Sequence, residues 1–275
     1  MISASIVSYK NKPDVLARTI ESYLMATNNS KLYVIDNSPT DAAKNICNHP
    51  CIEYIFSPSN IGYGRAHNIA IQETLHKSKY HLVLNPDVSF EQNVVQELIT
   101  FMEKNSDIGL IMPKVLYPDG RLQPLCKLLP EPHQLFARRF LTPFKKVHNH
   151  INYEYEMQFT KYDKITEVPF LSGCFMLFRN EALRTVGPFD EKFFLYFEDT
   201  DLSRRIHRQY RTVYYPNVTI EHIHERKSYK RLTLLWHHIN SAIYYFNKWG
   251  WFIDQERDAV NRKILIQYRV NGYQK

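Results

Sequence analysis

No stretch of this 275-residue chain stays uncharged and apolar for the roughly 18 residues that a spanning helix needs, so an integral membrane protein is not expected. The N-terminus, Met1-Ile-Ser-Ala-Ser-Ile-Val-Ser-Tyr-Lys10, lacks the charged start and long apolar stretch of a secretory signal. Cysteine is sparse. Cys47 and Cys51 share a C-x3-C spacing, but Cys126 and Cys174 supply no second ligand pair at zinc spacing. Free thiols in a reducing cytosol are the expectation, and the sequons at Asn28 and Asn217 become chance matches. A Gly-rich, Lys/Arg-bearing phosphate loop is also missing early in the chain, which argues against a nucleotidyltransferase. Internal repeats and low-complexity tracts are absent.

Aromatic residues are abundant at 14%, which suits stacking on sugars or bases and suits a plain core equally well. Charge is unevenly placed. From Leu202 onward there are 14 Lys/Arg against 5 Asp/Glu, a balance of +9, whereas residues 1–201 carry 21 against 23. A basic C-terminal part fits an anionic partner such as lipid headgroups or a diphosphate, or is a solvated basic face. No RNA- or DNA-binding motif accompanies it, although Trp236, Trp249 and Trp251 lie nearby, so no nucleic-acid partner is expected.

The first hundred residues alternate strand and helix signals. Ala4–Tyr9, Lys31–Asp36, Cys51–Phe56, Tyr80–Asp87 and Gly109–Met112 read as strands. Pro13–Met25, with Val15, Leu16, Thr19, Ile20, Tyr23 and Leu24 on one face, reads as a helix, as do Arg65–His76 and Glu91–Lys104. This order implies an α/β fold with a mostly parallel, doubly wound sheet, whose ligands bind beyond the carboxyl ends of the strands. Asp36 and Asp87 fall at such ends. Residues 113–167 are Pro-rich and without clear period, with Arg138, Arg139, Lys145 and Lys146 among apolar neighbours, which fits a functional loop or lid. Val168–Phe178 reads as a buried strand, Glu198–Tyr210 as a helix with acids first and arginines later, and Ser228 onward as a last amphipathic helix. Its face of Leu232, Leu235, Ile239, Ala242 and Phe246 could dock on a membrane, pack on the preceding domain, or pair with a second copy.

Three residues carry the chemistry. A strand-end carboxylate such as Asp87 can hold a divalent cation against a diphosphate, a later carboxylate such as Asp199 can take a proton from a hydroxyl, and a His such as His222 can complete a metal shell. His224, two residues on, is a rival for the last role.

The chain resembles the family 2 glycosyltransferases of the GT-A fold, and among them most resembles bacterial L-rhamnosyltransferase-like members. The resemblance lies in Val34-Ile-Asp-Asn-Ser38 with Asp41, Asn60-Ile-Gly-Tyr-Gly-Arg-Ala-His-Asn68, Leu84-Asn-Pro-Asp87, Ser172-Gly173, Gly187-Pro-Phe-Asp190 and Phe194-Leu-Tyr-Phe-Glu-Asp-Thr-Asp-Leu202, followed by His222 and Ser228. It implies a catalytic domain over residues 1–227, a basic helical extension over 228–275, and an inverting, metal-dependent transfer from a nucleotide-diphospho-sugar, dTDP-L-rhamnose being favoured. Asp36 would contact the base or ribose, and Asn60, Gly62 and Asn68 would shape the donor loop. Asp87 and His222 would hold Mg²⁺ or Mn²⁺, with Asn85 standing at the first acidic position of the familiar D-x-D motif. Asp199 would be the general base, and Glu198 and Asp201 would position the acceptor or stabilise the helix start. Gly173 would admit a sugar, Phe170 would stack on one or fill the core, and Arg121, Arg226 and Lys227 would neutralise phosphate or remain surface charges. The implied acceptor is a lipid-linked or lipopolysaccharide-type glycan, with the protein at the inner face of the cytoplasmic membrane. The alternatives are a glycosyltransferase using another donor such as a UDP-sugar, or a catalytically silent glycan- or nucleotide-binding adaptor.

Overall fold

The computed structural model describes residues 1–28, 30–140, 144–223 and 232–270. The chain opens with β1 (Ile2–Ser8), α1 (Pro13–Ala26), β2 (Leu32–Asp36), β3 (Ile52–Phe56), α2 (Tyr63–Thr74), β4 (Tyr80–Leu84), β5 (Val88–Phe90), α3 (Val94–Lys104) and β6 (Ile108–Leu116). There follow β7 (Cys126–Lys127), α4 (Pro132–Phe140), α5 (Lys145–Tyr155), β8 (Thr166–Glu167), β9 (Phe170–Leu171), β10 (Phe175–Arg179) and α6 (Asn180–Val186). The last elements are α7 (Glu198–His207), β11 (Arg211–His222), α8 (Leu232–Trp249) and α9 (Gln255–Val270). The main sheet runs β3-β2-β1-β4-β10-β6-β11-β5, with β8 paired to β11, while β7 and β9 form a separate ribbon.

Strands β1 to β4 are mutually parallel, and β11 lies parallel to β6. Strand β10 enters antiparallel between β4 and β6. Every residue of β1, β2 and β4 is buried, as expected where helices cover both faces of a sheet. Helix α1 starts at Pro13, whose missing N–H costs nothing in the first turn, and buries Leu16, Thr19, Ile20 and Tyr23.

Two departures from the sequence reading shape the site. The strand predicted to run to Asp87 ends at Leu84, and Asn85–Asp87 form a turn. Its backbone is held on both sides: the Asn85 N–H donates to the Cys174 carbonyl at 2.9 Å, and the Ile223 N–H to the Asp87 carbonyl at 3.1 Å. Helix α1 supplies acceptors for the next strand, with Thr19 Oγ1 3.1 Å from the Val88 amide and Ser22 Oγ 3.3 Å from that of Phe90. The predicted strand 168–178 also breaks, at Ser172–Cys174, so that β9 pairs with β7 rather than with the main sheet.

The segment 113–167 is not without structure: it holds α4 and α5, tied by Arg138 of α4, which donates to Asn152 at 2.7 Å and Glu156 at 2.6 Å. Helix α9 lies within residues 228–275 as a second helix, separate from α8. The boundary at 227/228, the start of the last helix at Ser228, and His224, Arg226 and Lys227 lie outside the described residues. Helix α8 rests Ala242, Tyr245, Phe246 and Trp249 against Phe193 and Phe197. Beneath them Arg204 of α7 is buried, bidentate to Asp254 at 2.7 Å from each of two nitrogens, bonded to Glu256, and 4.1 Å from the Trp249 ring. Removing one member of a buried ion pair leaves the other uncompensated. Arg204→Met should therefore lower the unfolding free energy by about 3–5 kcal/mol, read from urea denaturation.

Candidate active site

Beyond the carboxyl ends of β1, β2 and β4 lies a cleft of about 660 Å³. Lys10, Asn11, Asn37, Asn60, Gly62, Tyr63, Asn85, Asp87 and His222 line it, and Thr233, Leu234 and His237 of α8 form one wall. The Phe194 and His237 rings stack at 4.4 Å and tie that wall to the loop before α7. A second hollow of about 300 Å³ shares Lys10 and Asn11 with the first and reaches Asp36 and Ser38.

The cleft floor is the turn Asn85–Asp87 and the end of β11. Strand β5 pairs antiparallel with β11, Val88 opposite His222, and this brings His222 Nε2 to 3.3 Å from Asp87 Oδ1. Asn85 Nδ2 lies 3.3 Å from the same nitrogen. Gln123 fixes the imidazole from behind: its Oε1 lies 3.0 Å from His222 Nδ1, and its Nε2 donates to the His222 carbonyl at 2.6 Å. With the Nδ1 proton given to Gln123, Nε2 is the acceptor nitrogen that faces Asp87, the arrangement found where an imidazole coordinates a metal. Among the described residues, no group of three or more His, Cys, Asp or Glu is placed to hold an ion. Asp87 and His222 are thus a pair of oxygen and nitrogen donors that fits Mg²⁺ or Mn²⁺ only with further ligands from a bound substrate.

Tyr63, at the start of α2, links this floor to the start of α7. Its hydroxyl bridges Asn85 Oδ1 at 3.1 Å and the Gly173 carbonyl at 2.7 Å. The Gly173 N–H in turn donates to Asp199 Oδ2 at 2.9 Å. The other Asp199 oxygen accepts the Thr200 N–H at 2.8 Å. Burial pushes the Asp199 carboxyl up, against the opposing pull of the Lys127 ammonium and these two amides. Burial, reinforced by Asp199, holds Glu198 well above the ordinary carboxylate range, and its Oε2 has no hydrogen-bond partner among the described residues. Of the two adjacent acids Glu198 is pushed up the further. Tyr196 and Phe197, just before them, both adopt left-handed backbone, with φ of 70° and 68°. Such conformations cost about 1–3 kcal/mol each and persist only where packing fixes them. Here Phe197 is clamped among Phe193, Tyr245 and Phe246.

The remaining sequence candidates divide. Gly62 is at the cleft with φ of 94°, and a Cβ there would stand 2.5 Å from the Phe194 carbonyl oxygen. Asn60 Oδ1 accepts the Gly62 N–H at 3.0 Å, and Asn37 Nδ2 reaches both Asn60 and the Gly62 carbonyl. The Tyr63 N–H is taken by Phe194 at 3.0 Å, so this first amide of α2 does not point to a ligand. Asp36 is fully buried at the second hollow, accepting from the Ser38 N–H and the Tyr54 hydroxyl. Asn68 does not line the cleft: its amide bonds Phe189 in both directions and fixes the Gly187–Asp190 turn. Asp201 is not at the cleft either, because Arg205, Lys248 and Trp249 surround its carboxylate at 2.8–2.9 Å. Arg121 is an exposed partner of Asp119, and Phe170 is a buried core ring capped by the Lys127 ammonium. Tyr63, Gln123 and Lys127 were missed. Tyr63 lies within the Asn60–Asn68 motif, and nothing local marks Gln123 or Lys127.

Residues 5–187 match glycosyl transferase family 2, and the chain belongs to that family. It is 26% identical over 212 residues to the low-salt glycan biosynthesis hexosyltransferase Agl10 of Haloferax volcanii, covering 76% of this chain and 62% of that protein. It is 27% identical over 229 residues to the N-acetylglucosaminyl-diphospho-decaprenol L-rhamnosyltransferase of Mycobacterium tuberculosis, covering 78% of this chain and 74% of the relative. The fold is GT-A. The mannosyltransferase PcManGT of Pyrobaculum calidifontis, solved with GDP-Man and Mn²⁺, superposes with a TM-score of 0.57 at 14% identity, over 88% of this chain and 64% of that one.

A carboxyl held protonated in the folded chain favours folding below its ordinary pKa, and that contribution is lost as pH rises toward the raised value. Glu198→Gln should therefore raise the melting temperature at neutral pH, and the gain should vanish as pH falls below about 4.3. An unchanged difference across that range would sink the upward shift of Glu198.

Proposed function

We propose that this protein is an inverting glycosyltransferase that moves L-rhamnose from dTDP-L-rhamnose to a lipid-linked or lipopolysaccharide-type glycan at the inner face of the cytoplasmic membrane. The observation that carries the reading is the 3.3 Å approach of Asp87 and His222 at the cleft floor, which Tyr63 and Gly173 link by hydrogen bonds to Asp199, a residue that does not itself line the cleft. Membership of the family and the likeness to the mycobacterial L-rhamnosyltransferase support it. The cleft volume suits a nucleotide-linked sugar.

The donor's nucleoside lies toward Asp36, Asn37 and Asn60, with its diphosphate over Asn85 and Asp87. Asp87 and His222 would hold a divalent ion, which would supply positive charge against the diphosphate. The Asp199 carboxylate takes the proton of an acceptor hydroxyl. The oxygen so freed bonds to the anomeric carbon from the side opposite the diphosphate, the carbon–oxygen bond to phosphate breaks, and the nucleoside diphosphate leaves with both electrons. Configuration is inverted. The Gly173 and Thr200 amides aim the Asp199 carboxylate. Tyr63 holds Asn85 and Gly173 in register, so that the leaving-group end and the base end of the site keep a fixed separation. Its phenol is held well above the ordinary value by burial and by the Glu198 and Asp199 carboxyls, so it remains a donor.

Two substitutions test the assignment. Asp199→Asn should reduce turnover by about 10³-fold or more while leaving the thermal shift from dTDP-rhamnose in place. Asp87→Ala should abolish the part of that shift that depends on added Mn²⁺ or Mg²⁺. Full activity of the first variant would overturn the base, and a shift with UDP-sugars alone would overturn the donor.

A further inference from the structure

We propose that the outward face of α8, with the turn after it, is a docking surface for an anionic lipid bilayer. The choice of occupant rests on the reading that the acceptor is lipid-linked. Helix α8 has two apolar faces. The inner one buries Tyr245 and Phe246 against the catalytic domain. The outer one presents Leu232, Trp236, Ile239 and Ile243, all exposed, Trp236 by 62%. Their spacing of four, three and four residues sets them in a single stripe along the helix. The stripe continues past the helix end: Trp251 Nε1 donates to Asn247 Oδ1 at 2.8 Å, and Phe252 and Ile253 stand 83% and 84% exposed. A soluble surface seldom leaves so many large apolar side chains in one line without a partner.

Charge selects the partner. From Leu232 to Ile253 there is no acidic residue. The one lysine in that span, Lys248, is turned to Asp190 and Asp201 at 2.8 Å each. In the sequence, Arg226, Lys227, Lys230 and Arg231 stand just before Leu232. An anionic bilayer accepts both the apolar side chains and these cations. No helix among the described residues is long and apolar enough to cross a membrane, so α8 would lie in the interface plane. Thr233, Leu234 and His237 of the same helix line the cleft, so a bilayer on the stripe would sit at the cleft rim. That is where an acceptor anchored in the same leaflet must present its sugar.

The test is co-sedimentation of the full chain with phosphatidylcholine vesicles containing about one third phosphatidylglycerol, and with pure phosphatidylcholine. Wild type is compared with Trp236→Gln/Ile243→Gln, neither residue lining the cleft. Wild type should pellet with the anionic vesicles, less so at high salt, and the double variant should bind roughly tenfold more weakly or less. The variant should keep the wild-type melting temperature and nucleotide-sugar thermal shift. Equal pelleting of both proteins overturns the proposal. So does a wild type that stays in the supernatant, or one that light scattering shows to be a dimer while the variant is a monomer. Stripe-dependent vesicle binding with no response to any nucleotide sugar would sink the transfer reading and leave the docking surface standing.

Discussion

The short antiparallel pairing of β5 with the end of β11 is the constraint on which the site depends. It sets Val88 opposite His222 and so places Asp87 against an imidazole that follows it far along the chain. Strand β5 has only three residues and could not hold that register alone. It is held because Thr19 and Ser22 of α1 take its amides and because Cys174 and Ile223 fix the turn before it. The Asn85–Asp87 turn therefore answers to α1, to the β9–β10 break and to β11 at once. Backbone groups that leave a sheet ladder must find other partners, and here those partners position the carboxylate.

From that floor a chain of hydrogen bonds runs through Tyr63 and Gly173 to Asp199. Gly173 is central to it, with its carbonyl and amide each committed to a different side of the site. The same commitment explains why the strand 168–178 is interrupted. Asp199 opens a helix whose later residues, Asp201 and Arg204, are buried in ion pairs with α8 and the segment leading into α9. The acids of α7 thus differ in setting: Asp199 accepts from Gly173, Glu198 is buried, and Asp201 is held in ion pairs. The strained Tyr196–Phe197 backbone stands just before them. The C-terminal helices are accordingly part of the site's support, with α8 supplying both a cleft wall and an outward stripe.

Most of the parallel half of the fold was legible because its signals are local. Apolar runs at strand spacing, a Pro-started amphipathic α1 and acids ahead of arginines in α7 each follow from a few neighbouring side chains. The helices α4 and α5 escaped because their Pro-rich surroundings hide the period, and the contacts that tie them, such as Arg138 to Glu156, are tertiary. Within the site, Asn60, Gly62, Asn85, Asp87 and His222 were found and do gather at the cleft. Asn68 and Asp201 shared the same motifs yet face inward. A motif gives the residue type and spacing, but a rotation of about 100° per helical residue decides which side meets the cleft.

The sequence by itself determined the α/β alternation, the family, and the identity of the acids and the histidine available for chemistry, since these rest on residue type and short-range period. Only the tertiary structure decided that Asp87 meets His222, that Gln123 sets the imidazole, and that burial shifts Glu198 further up than Asp199. Those outcomes depend on distance, burial and hydrogen-bond partners between segments remote in the chain, and no local pattern encodes them.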